Sequence, residues 1–257
     1  MAHWMRYEHQ GKIGFGTLQD ETISVHSGNM YTNPSPTGEE VALGEVKVLT
    51  PTVPTKMLCL WNNYHALAQK MEQPIPPHPL YLLKGNNAFL AANETIRRPS
   101  SYGGPVVYEG ELGVVIGKSC SEVSEADADD FIFGYTCIND VTAGQIISED
   151  PTFAQWVRAK SFDTFGVFGP VVATDVNPND LNVKTTLNGE VRQDYSTSDL
   201  IFTPQQQVSL ISHNMTLEPG DVICVGTSVG VGAMKEPSNT IDITIGGIGT
   251  LSNTYVN

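Results

Sequence analysis

The chain consists of short runs of β-branched and aromatic residues separated by glycine and proline, and this punctuation limits the folds open to it. Runs at 11–18, 22–26, 46–49, 57–61, 221–225 and 240–245 have the length and composition of strands. The pair Asn188-Gly189 is typical of a tight hairpin turn, and Pro219-Gly220 marks another turn. Strands and helices do not alternate regularly, as they would in a doubly wound sheet. The sequence therefore predicts a β-dominated α+β fold.

Three short helices interrupt the predicted strands. The first covers 64–71 and ends before a proline-rich turn at 74–79. The second follows Ser124 as its N-cap and runs to about Phe131, with acidic residues in its first turn. The third covers 203–213 and carries Pro204 at its first position. Because Pro51 and Pro54 close the first group of strands, we expect a small N-terminal β domain at 1–55 and a larger domain at 56–257.

Composition excludes several classes of partner and compartment. The chain has 257 residues, 40% of them hydrophobic, which is enough for a large core, and its formal net charge is -14. This charge argues against nucleic acid or an anionic membrane as a partner, since no Lys/Arg cluster offsets it. No apolar run has the length of a signal peptide or a membrane span. Four cysteines without metal or disulfide spacing predict reduced thiols in a cytoplasmic protein; they are Cys59, Cys120, Cys137 and Cys224.

Three carboxylates outline a site for a hard metal ion. Glu109 and Glu111 stand two residues apart within the strand-like run 106–116, and Asp140 follows in a second run. Side chains alternate along a strand, so the two glutamates would point the same way, roughly 6.5–7 Å apart. Oxygen ligands favour Mg²⁺, Mn²⁺ or Ca²⁺ over Zn²⁺, and a cation removes the repulsion between the carboxylates. A strand that shows its polar face to solvent is the alternative interpretation.

The segment 226–232 is rich in glycine but does not match a nucleotide-binding loop. Such a loop must open a helix whose N-terminus receives the phosphate, and here the next regular segment is a predicted strand. A tight loop that turns backbone amides and the Thr227 hydroxyl toward an anion is one interpretation. Ordinary turn chemistry is the other.

Six segments taken together resemble the fumarylacetoacetate hydrolase family. Their order and spacing hold from Lys56 to the C-terminus, and the segments are 108–112, 139–141, 160–164, 188–190, 219–223 and 226–232. The resemblance implies a mixed β-sandwich roll as the catalytic domain, preceded by a small N-terminal β domain, and usually a homodimer. It also implies that Glu109, Glu111 and Asp140 hold Mg²⁺ or Mn²⁺, with Ca²⁺ as a further possibility from the ligand chemistry.

The resemblance further implies chemistry on 2-oxo acids. Family members hydrolyse C–C bonds in acylpyruvates, isomerise or decarboxylate hydroxymuconate-type diacids, or tautomerise oxaloacetate, and a metal acts as Lewis acid on the enolate common to these reactions. Lys160 matches the family lysine that points at the oxo acid, and this makes it a catalytic candidate. Thr227 matches a residue that contacts the substrate carboxylate. Lys84 resembles a second lysine near the site, with an ordinary surface charge as the alternative.

The helix after the first catalytic-domain strand departs from the family pattern. Hydrolytic members have N-Y-x-x-H-x-x-E there, and the His–Glu pair activates water. In this chain Leu67 and Lys70 stand at those two positions. His65 and Glu72 lie nearby on one helical face, turned by about 160° or more from the family's positions, and are the candidates to replace the pair. An exposed helix face is the alternative.

A second departure follows Asp140. The segment 141–147 is V-T-A-G-Q-I-I where many members have V-S-A-R-D-x-Q, so Gly144 replaces a substrate-binding arginine. Within the two altered segments, Tyr64 and Gln145 are the candidate substrate-binding residues. The sequence thus predicts a divalent-metal enzyme that acts on a 2-oxo or 2-hydroxy-dienoate acid, by C–C hydrolysis or by enol isomerisation. An oxaloacetate-type tautomerase or decarboxylase, and a catalytically lapsed member that only binds an oxo acid, are the alternatives.

Overall fold

The computed structural model describes residues 1–257. Twenty strands make up most of its regular structure. In chain order they are β1 His3–His9, β2 Lys12–Gln19, β3 Thr22–Ser27, β4 Ser35–Ala42, β5 Lys47–Val48, β6 Met57–Trp61, β7 Leu80–Lys84, β8 Phe89–Leu90, β9 Thr95–Arg97, β10 Val106–Tyr108, β11 Gly110–Ile116, β12 Ile132–Asp140, β13 Thr142–Ala143, β14 Gly166–Ala173, β15 Asn182–Leu187, β16 Glu190–Ser196, β17 Val222–Cys224, β18 Gly232–Ala233, β19 Ser238–Ile245 and β20 Gly249–Val256.

Helices are few and short. The three α-helices are α1 His65–Lys70, α2 Trp156–Lys160 and α3 Pro204–Ser212. Six 3₁₀-helical turns cover Leu43–Glu45, Asn86–Ala88, Glu125–Phe131, Gly144–Ser148, Pro178–Asp180 and Thr197–Asp199. None of these helices is long and apolar enough to cross a membrane.

The strands form three sheets. The largest has twelve strands, in the order β4-β3-β2-β1-β14-β12-β11-β17-β6-β7, with β5 added beside β1 and β8 beside β14. A second sheet has the order β16-β15-β19-β20-β9, and a third has β13-β10-β18. Pairing is mixed: β17 runs parallel to β6 and antiparallel to β11. The predicted β-dominated fold with mixed sheets is confirmed.

The centre of the large sheet is buried on both faces. All seven residues of β11 are buried, as expected for a strand covered on each side. Leu112 and Val114 pack into the main hydrophobic core, whereas Val115 and Ile138 belong to a smaller cluster. Because side chains alternate along a strand, Glu111 shares its face with Val115, and Asp140 shares its face with Ile138. The two carboxylates therefore lie on the same face as the smaller cluster.

Local sequence signals place several elements correctly. Asn188 and Gly189 take left-handed φ values of 53° and 81°, and Leu187 pairs with Glu190, as in a two-residue hairpin turn. The third predicted helix starts with a capping box between Thr203 and Gln206. The predicted first and third helices match α1 and α3.

The segment after Ser124 is a 3₁₀-helical turn, Glu125–Phe131, and Ser124 does not cap it. The reason is that the Ser124 hydroxyl donates to the Asp127 carboxylate at 2.6 Å instead of bonding to the backbone. The predicted capping interaction is wrong at this position.

The first strands extend the large sheet. His3 pairs with Ala173 and Trp4 pairs with Val172, so β1 continues the sheet beyond β14. The side chain of Trp4 also packs against Phe133 of β12, with ring centroids 6.1 Å apart. A separate N-terminal domain at 1–55 stays a prediction, and its strands share the sheet that carries the carboxylates.

Candidate metal centre

Glu109 stands where the chain passes from one sheet to another. The strand before it, β10, pairs with β13 and β18, whereas β11 after it belongs to the large sheet. The expectation of one continuous strand over 106–116 is therefore wrong, because the two halves have different pairing partners. The side chains nevertheless converge. Ligand oxygens of Glu109, Glu111 and Asp140 all lie within 4.8 Å of one another.

The burial of these carboxylates fits a bound cation. Glu111 and Asp140 are both 0% exposed, and the Glu109 side chain is 16% exposed. One Glu111 oxygen, Oε2, accepts a hydrogen bond from the Gly226 N–H at 3.0 Å. Its other oxygen, Oε1, is buried without a partner, which is costly for a carboxylate. A hard divalent cation would satisfy this oxygen, so the group could hold such an ion.

Lys84 is enclosed by protein. Its Nζ lies 2.6 Å from Asp140 Oδ1 and donates to the carbonyls of Val141, Lys160 and Phe165 at 3.0, 2.7 and 2.8 Å. The side chain is fully buried, so it is not an ordinary surface charge. An ammonium group has three protons, and these neighbours use them all. In this arrangement Lys84 neutralises Asp140 and has no proton free for a substrate.

Lys160 bridges two of the carboxylates. It is the last residue of α2, and its Nζ lies 2.9 Å from Glu109 Oε2 and 2.5 Å from Asp140 Oδ2. The side chain is only 4% exposed. The structure thus places one buried, proton-bearing cation directly among the candidate metal ligands.

Burial and these contacts shift the pKa values of the four groups in different directions. Burial raises the pKa of Glu111 well above its ordinary value, and the Asp140 and Glu109 charges add to the shift. Burial also raises the pKa of Glu109, against the influence of Lys160. Burial alone would raise the pKa of Asp140, but Lys160 and Lys84 together hold it below its ordinary value. Burial works against the charged form of Lys160, yet Asp140 and Glu109 raise its pKa well above the ordinary value.

Neighbouring polar groups fix Glu109 in place. The Thr142 hydroxyl lies 3.0 Å from Glu109 Oε1 and 2.9 Å from the Asp140 carbonyl oxygen. The Glu109 N–H donates to Asn139 Oδ1 at 3.1 Å, and the Asp140 N–H donates to the Glu109 carbonyl at 2.9 Å. Both the backbone and the side chain of Glu109 are therefore held by hydrogen bonds where the chain passes between the two sheets.

The glycine-rich loop borders the cluster. Gly226 has a φ of 96°, and a Cβ there would lie 3.2 Å from the Leu60 carbonyl oxygen, so glycine lets the loop approach β6 and bring its N–H to Glu111. The Thr227 hydroxyl donates to the Gly110 carbonyl at 3.0 Å and accepts from Gln193 Nε2 at 2.8 Å. Its proton is therefore committed to the protein. What the loop can offer to an anion is its backbone N–H groups.

Tyr64 is a buried residue directly before α1. It is 0% exposed, and its hydroxyl has no hydrogen-bond partner. The ring meets Tyr195 edge to face, with centroids 5.0 Å apart. Burial raises the pKa of Tyr64 well above its ordinary value, and Tyr195 and Glu111 add to the shift. The hydroxyl thus keeps its proton.

Three of the candidate residues lie outside this assembly. His65, Glu72 and Gln145 are exposed, and none of their side chains makes a hydrogen bond or ion pair with the carboxylate cluster. Glu72 follows the end of α1 with a left-handed φ of 53°. The structure brings together the other candidates, which are Glu109, Glu111, Asp140, Lys84, Lys160, Thr227 and Tyr64.

Three residues that support the cluster were not expected from the sequence: Thr142, Gln193 and Tyr195. Thr142 could have been found from the sequence, because it carries a hydroxyl at the position where many family members have serine. Gln193 and Tyr195 lie in a polar strand after the Asn-Gly turn, and their inward orientation has no local signature.

Comparison with known proteins agrees with the fold. The family model described as fumarylacetoacetate (FAA) hydrolase C-terminal matches residues 56–256, which is most of the chain. The chain belongs to the fumarylacetoacetate hydrolase family. A second model, described as Rv2993c-like, N-terminal, matches residues 2–51. The resemblance inferred from the six segments is confirmed.

Individual relatives include isomerases and hydrolases. The crystal structure of 2-hydroxyhepta-2,4-diene-1,7-dioate isomerase from Mycobacterium marinum is 38% identical, covers 100% of this chain and 98% of its own, and superposes with a TM-score of 0.91. Oxaloacetate tautomerase YisK of Bacillus subtilis is 39% identical over 82% of this chain and 74% of its own length.

Fumarylpyruvate hydrolase from Pseudomonas aeruginosa, solved with Mn²⁺ and pyruvate, is 29% identical, covers 80% of this chain and 91% of its own, and has a TM-score of 0.73. The family and these relatives together identify the chain as an enzyme.

Proposed function

We propose that this enzyme isomerises or tautomerises a 2-oxo or 2-hydroxy-dienoate acid and depends on a divalent metal. One observation carries the proposal: Lys160 lies among the three carboxylates, whereas His65 and Glu72 lie at the surface. Isomerisation and tautomerisation move protons and need no activated water. The groups found at the cluster suffice for that chemistry.

The metal would be held by Glu109, Glu111 and Asp140. Mn²⁺ and Mg²⁺ both suit a set of carboxylate oxygens, with Ca²⁺ also compatible, and the Mn²⁺ bound by the fumarylpyruvate hydrolase supports the first. When bound, a divalent ion supplies Lewis-acid polarisation of a substrate oxygen. Its own charge would also replace the proton that burial keeps on Glu111 in the metal-free cluster.

Lys160 would hold and move the proton of the reaction. Its raised pKa keeps the ammonium charged, so it would stabilise negative charge on a substrate enol oxygen and hold a proton beside it. Tyr64 would donate its hydroxyl to a substrate carboxylate, and a loop N–H other than that of Gly226, which binds Glu111, would do the same from the glycine-rich loop. Lys84 would keep Asp140 ionised. Burial of the cluster excludes bulk water from these groups.

C–C hydrolysis is the second candidate function, because the chain is similar to fumarylpyruvate hydrolase over 80% of its length. A lapsed, purely binding member has less support, since the carboxylates and Lys160 are all present and assembled.

The deciding experiment supplies Mg²⁺ or Mn²⁺ and follows ultraviolet absorbance of acylpyruvates, oxaloacetate and 2-hydroxymuconate-type diacids in ¹⁸O water. We expect metal-dependent enol–keto conversion or double-bond migration, with no ¹⁸O in any newly formed carboxylate. Labelled carboxylate released together with pyruvate would replace the proposal by hydrolysis. No turnover of any of these acids above the background rate would favour a binding role.

We also propose a cytoplasmic homodimer with a small N-terminal domain. All four cysteines are free and buried, which suits a reducing compartment, and separate family models match 2–51 and 56–256. Light scattering after size-exclusion chromatography measures the oligomeric state directly, and a monomer at micromolar concentration would contradict the dimer.

A further inference from the structure

The backbone of Gly110, which joins the two glutamate ligands, is held by a strand of another sheet. Gly110 stands between Glu109 and Glu111, and its N–H donates to Gln193 Oε1 at 3.0 Å. Its carbonyl oxygen accepts a hydrogen bond from the Tyr195 hydroxyl. Gln193 and Tyr195 are two residues apart on β16 and so point to the same face. Both polar groups of the Gly110 residue are thus bonded to one strand.

A β-bulge aims Gln193 inward. Thr186 pairs with Val191 and Thr185 pairs with Gln193, which leaves Arg192 as the extra residue of β16. Val191 is 52% exposed, whereas Gln193 is only 1% exposed. Bulges occur next to active sites because they redirect a side chain without breaking the sheet. Here the bulge turns an amide from the solvent side of the hairpin to the metal-ligand peptide.

Gln193 also holds the glycine-rich loop. Its Nε2 donates to Thr227 Oγ1 at 2.8 Å and lies 3.4 Å from the carbonyl oxygens of Ser228 and Val229. One amide side chain therefore joins the loop to the Gly110 peptide. Because the neighbouring Gly226 N–H binds Glu111, the loop and the metal ligands form one hydrogen-bonded unit.

Glycine at position 110 allows the hairpin to approach this closely. A Cβ on Gly110 would lie 2.0 Å from Thr185 Oγ1 and 3.2 Å from Gln193 Oε1. No side chain could fit between the peptide and the hairpin. Glycine is also the residue with the greatest backbone freedom, so the contacts from β16 add to the pairing of Gly110 with Asn139 and to the Thr227 hydrogen bond in fixing its orientation.

We propose that Gln193 and Tyr195 are positioning residues that clamp the Gly110 peptide and thereby set how Glu109 and Glu111 are presented to a divalent cation. This inference rests on the proposed metal dependence. Rotation of the Gly110 peptide would swing the two carboxylates apart, and the clamp prevents it. Partners of this kind, which contact the ligands and not the metal, commonly change metal affinity by about 10–100-fold when they are removed.

The test measures Mn²⁺ binding by calorimetry in three full-length proteins: wild type, Gln193→Met and Gln207→Met. Methionine has nearly the length of glutamine but cannot form the hydrogen bonds. Gln207 of α3 is the matched control because it is also fully buried and does not contact the carboxylates. Its side-chain amide donates to the Phe202 carbonyl at 2.8 Å. We expect Gln193→Met to raise the Mn²⁺ Kd by about 10–100-fold and Gln207→Met to leave it unchanged.

A second variant keeps the inference testable if Gln193→Met does not fold. Tyr195→Phe removes only the hydroxyl that bonds to Gly110 and retains the ring that packs on Tyr64. We expect a several-fold weaker Mn²⁺ affinity and a changed electron paramagnetic resonance line shape of bound Mn²⁺. Unaltered affinity and line shape in this variant would overturn the clamp.

The outcomes separate the clamp from the metal proposal and from a purely structural role. A structural glutamine would lower the melting temperature of the metal-free protein without changing the Mn²⁺ Kd, and that pattern in Gln193→Met would overturn the clamp alone. Absence of Mn²⁺ and Mg²⁺ binding by the wild type would overturn the metal-dependent function and the clamp with it.

Discussion

The carboxylate cluster and helix α1 are built in opposite ways. In the cluster, charged groups are buried and paired: Asp140 has a lysine on each oxygen, at 2.6 Å and 2.5 Å. On α1, by contrast, His65 and the following Glu72 face solvent and contact no other charged group. The helix has only six residues.

This difference shows which of the two regions tolerates substitution. A buried charge is expensive unless it is paired, so removing one member of the cluster leaves others unsatisfied. An exposed helix face carries no such penalty, and its residues can change without unfolding the protein. The carboxylate cluster is therefore preorganised, whereas α1 carries Leu67 and Lys70 at the two positions where the family resemblance predicted a His–Glu pair.

The largest effect should come from breaking the cluster at Asp140. Asp140→Asn removes a carboxylate ligand and leaves Lys84 and Lys160 buried without their main counter-charge. We expect loss of Mn²⁺ binding and a decrease of about 3–5 kcal/mol in the free energy of unfolding, measured by urea denaturation. The control is Asp180→Asn, an exposed position. Wild-type stability of Asp140→Asn would show that the pairing contributes little.

Lys160→Met should separate catalysis from metal binding. The substitution removes the proton carrier, so we expect kcat to fall by about 10²–10⁴-fold. The Mn²⁺ Kd should stay the same or decrease, because the ammonium no longer competes for Glu109 and Asp140. Arg158→Met, on the exposed side of α2, is the control. An unchanged kcat would remove Lys160 from the mechanism.

Metal affinity should increase with pH because of Glu111. Its pKa is raised by burial, so the metal-free carboxyl keeps a proton above the ordinary glutamate range, and a metal must displace it. The increase should end once the pH exceeds the raised pKa. In the metal-free protein, a raised folded-state pKa contributes stability below the unfolded-state pKa, and this is lost as pH rises through the folded value.

Calorimetric titration of Mn²⁺ in two buffers with different protonation enthalpies counts the protons released. Glu45→Gln, at an exposed position outside the cluster, supplies the control and should release as many protons as the wild type. Mn²⁺ binding by the wild type without any proton release in acidic buffer would contradict the protonated Glu111.

The smallest effects are expected on α1. His65→Ala and Glu72→Ala should leave turnover unchanged and alter stability by no more than about 0.5 kcal/mol, as is usual for surface substitutions. Steady-state kinetics on the substrate found for the wild type provide the measurement. A tenfold loss of kcat in either variant would show that α1 takes part in the reaction as the carboxylate cluster does.

The features predicted correctly from sequence alone are those that residues close together in the chain determine. The turn at Asn188-Gly189 and the start of α3 at Thr203 follow from the conformations that these residues favour. The convergence of Glu109, Glu111 and Asp140 was also expected, because the family resemblance implied it. The strand alternation invoked for the two glutamates does not apply, since the strand breaks at Glu109. The role of these residues in binding metal stays a prediction.

The remaining features depend on contacts distant in sequence. Lys84 is buried because carbonyls 57, 76 and 81 residues away surround its ammonium, and no local pattern encodes that cage. Gln193 would point to solvent in a regular hairpin, and the bulge at Arg192 reverses it. The break at Glu109 likewise arises from pairing partners elsewhere in the chain.

The pairing of β1 with β14 has a practical consequence for anyone who shortens this protein. A chain that began at residue 56 would retain the whole match to the hydrolase family model but would uncover the edge of β14 next to Ala173. It would also lose the Trp4 ring that packs on β12. Uncovered strand edges recruit strands from other molecules, so the shortened protein should aggregate. The first strands therefore cover an edge of the sheet that carries Glu111 and Asp140 and protect it from pairing with other molecules.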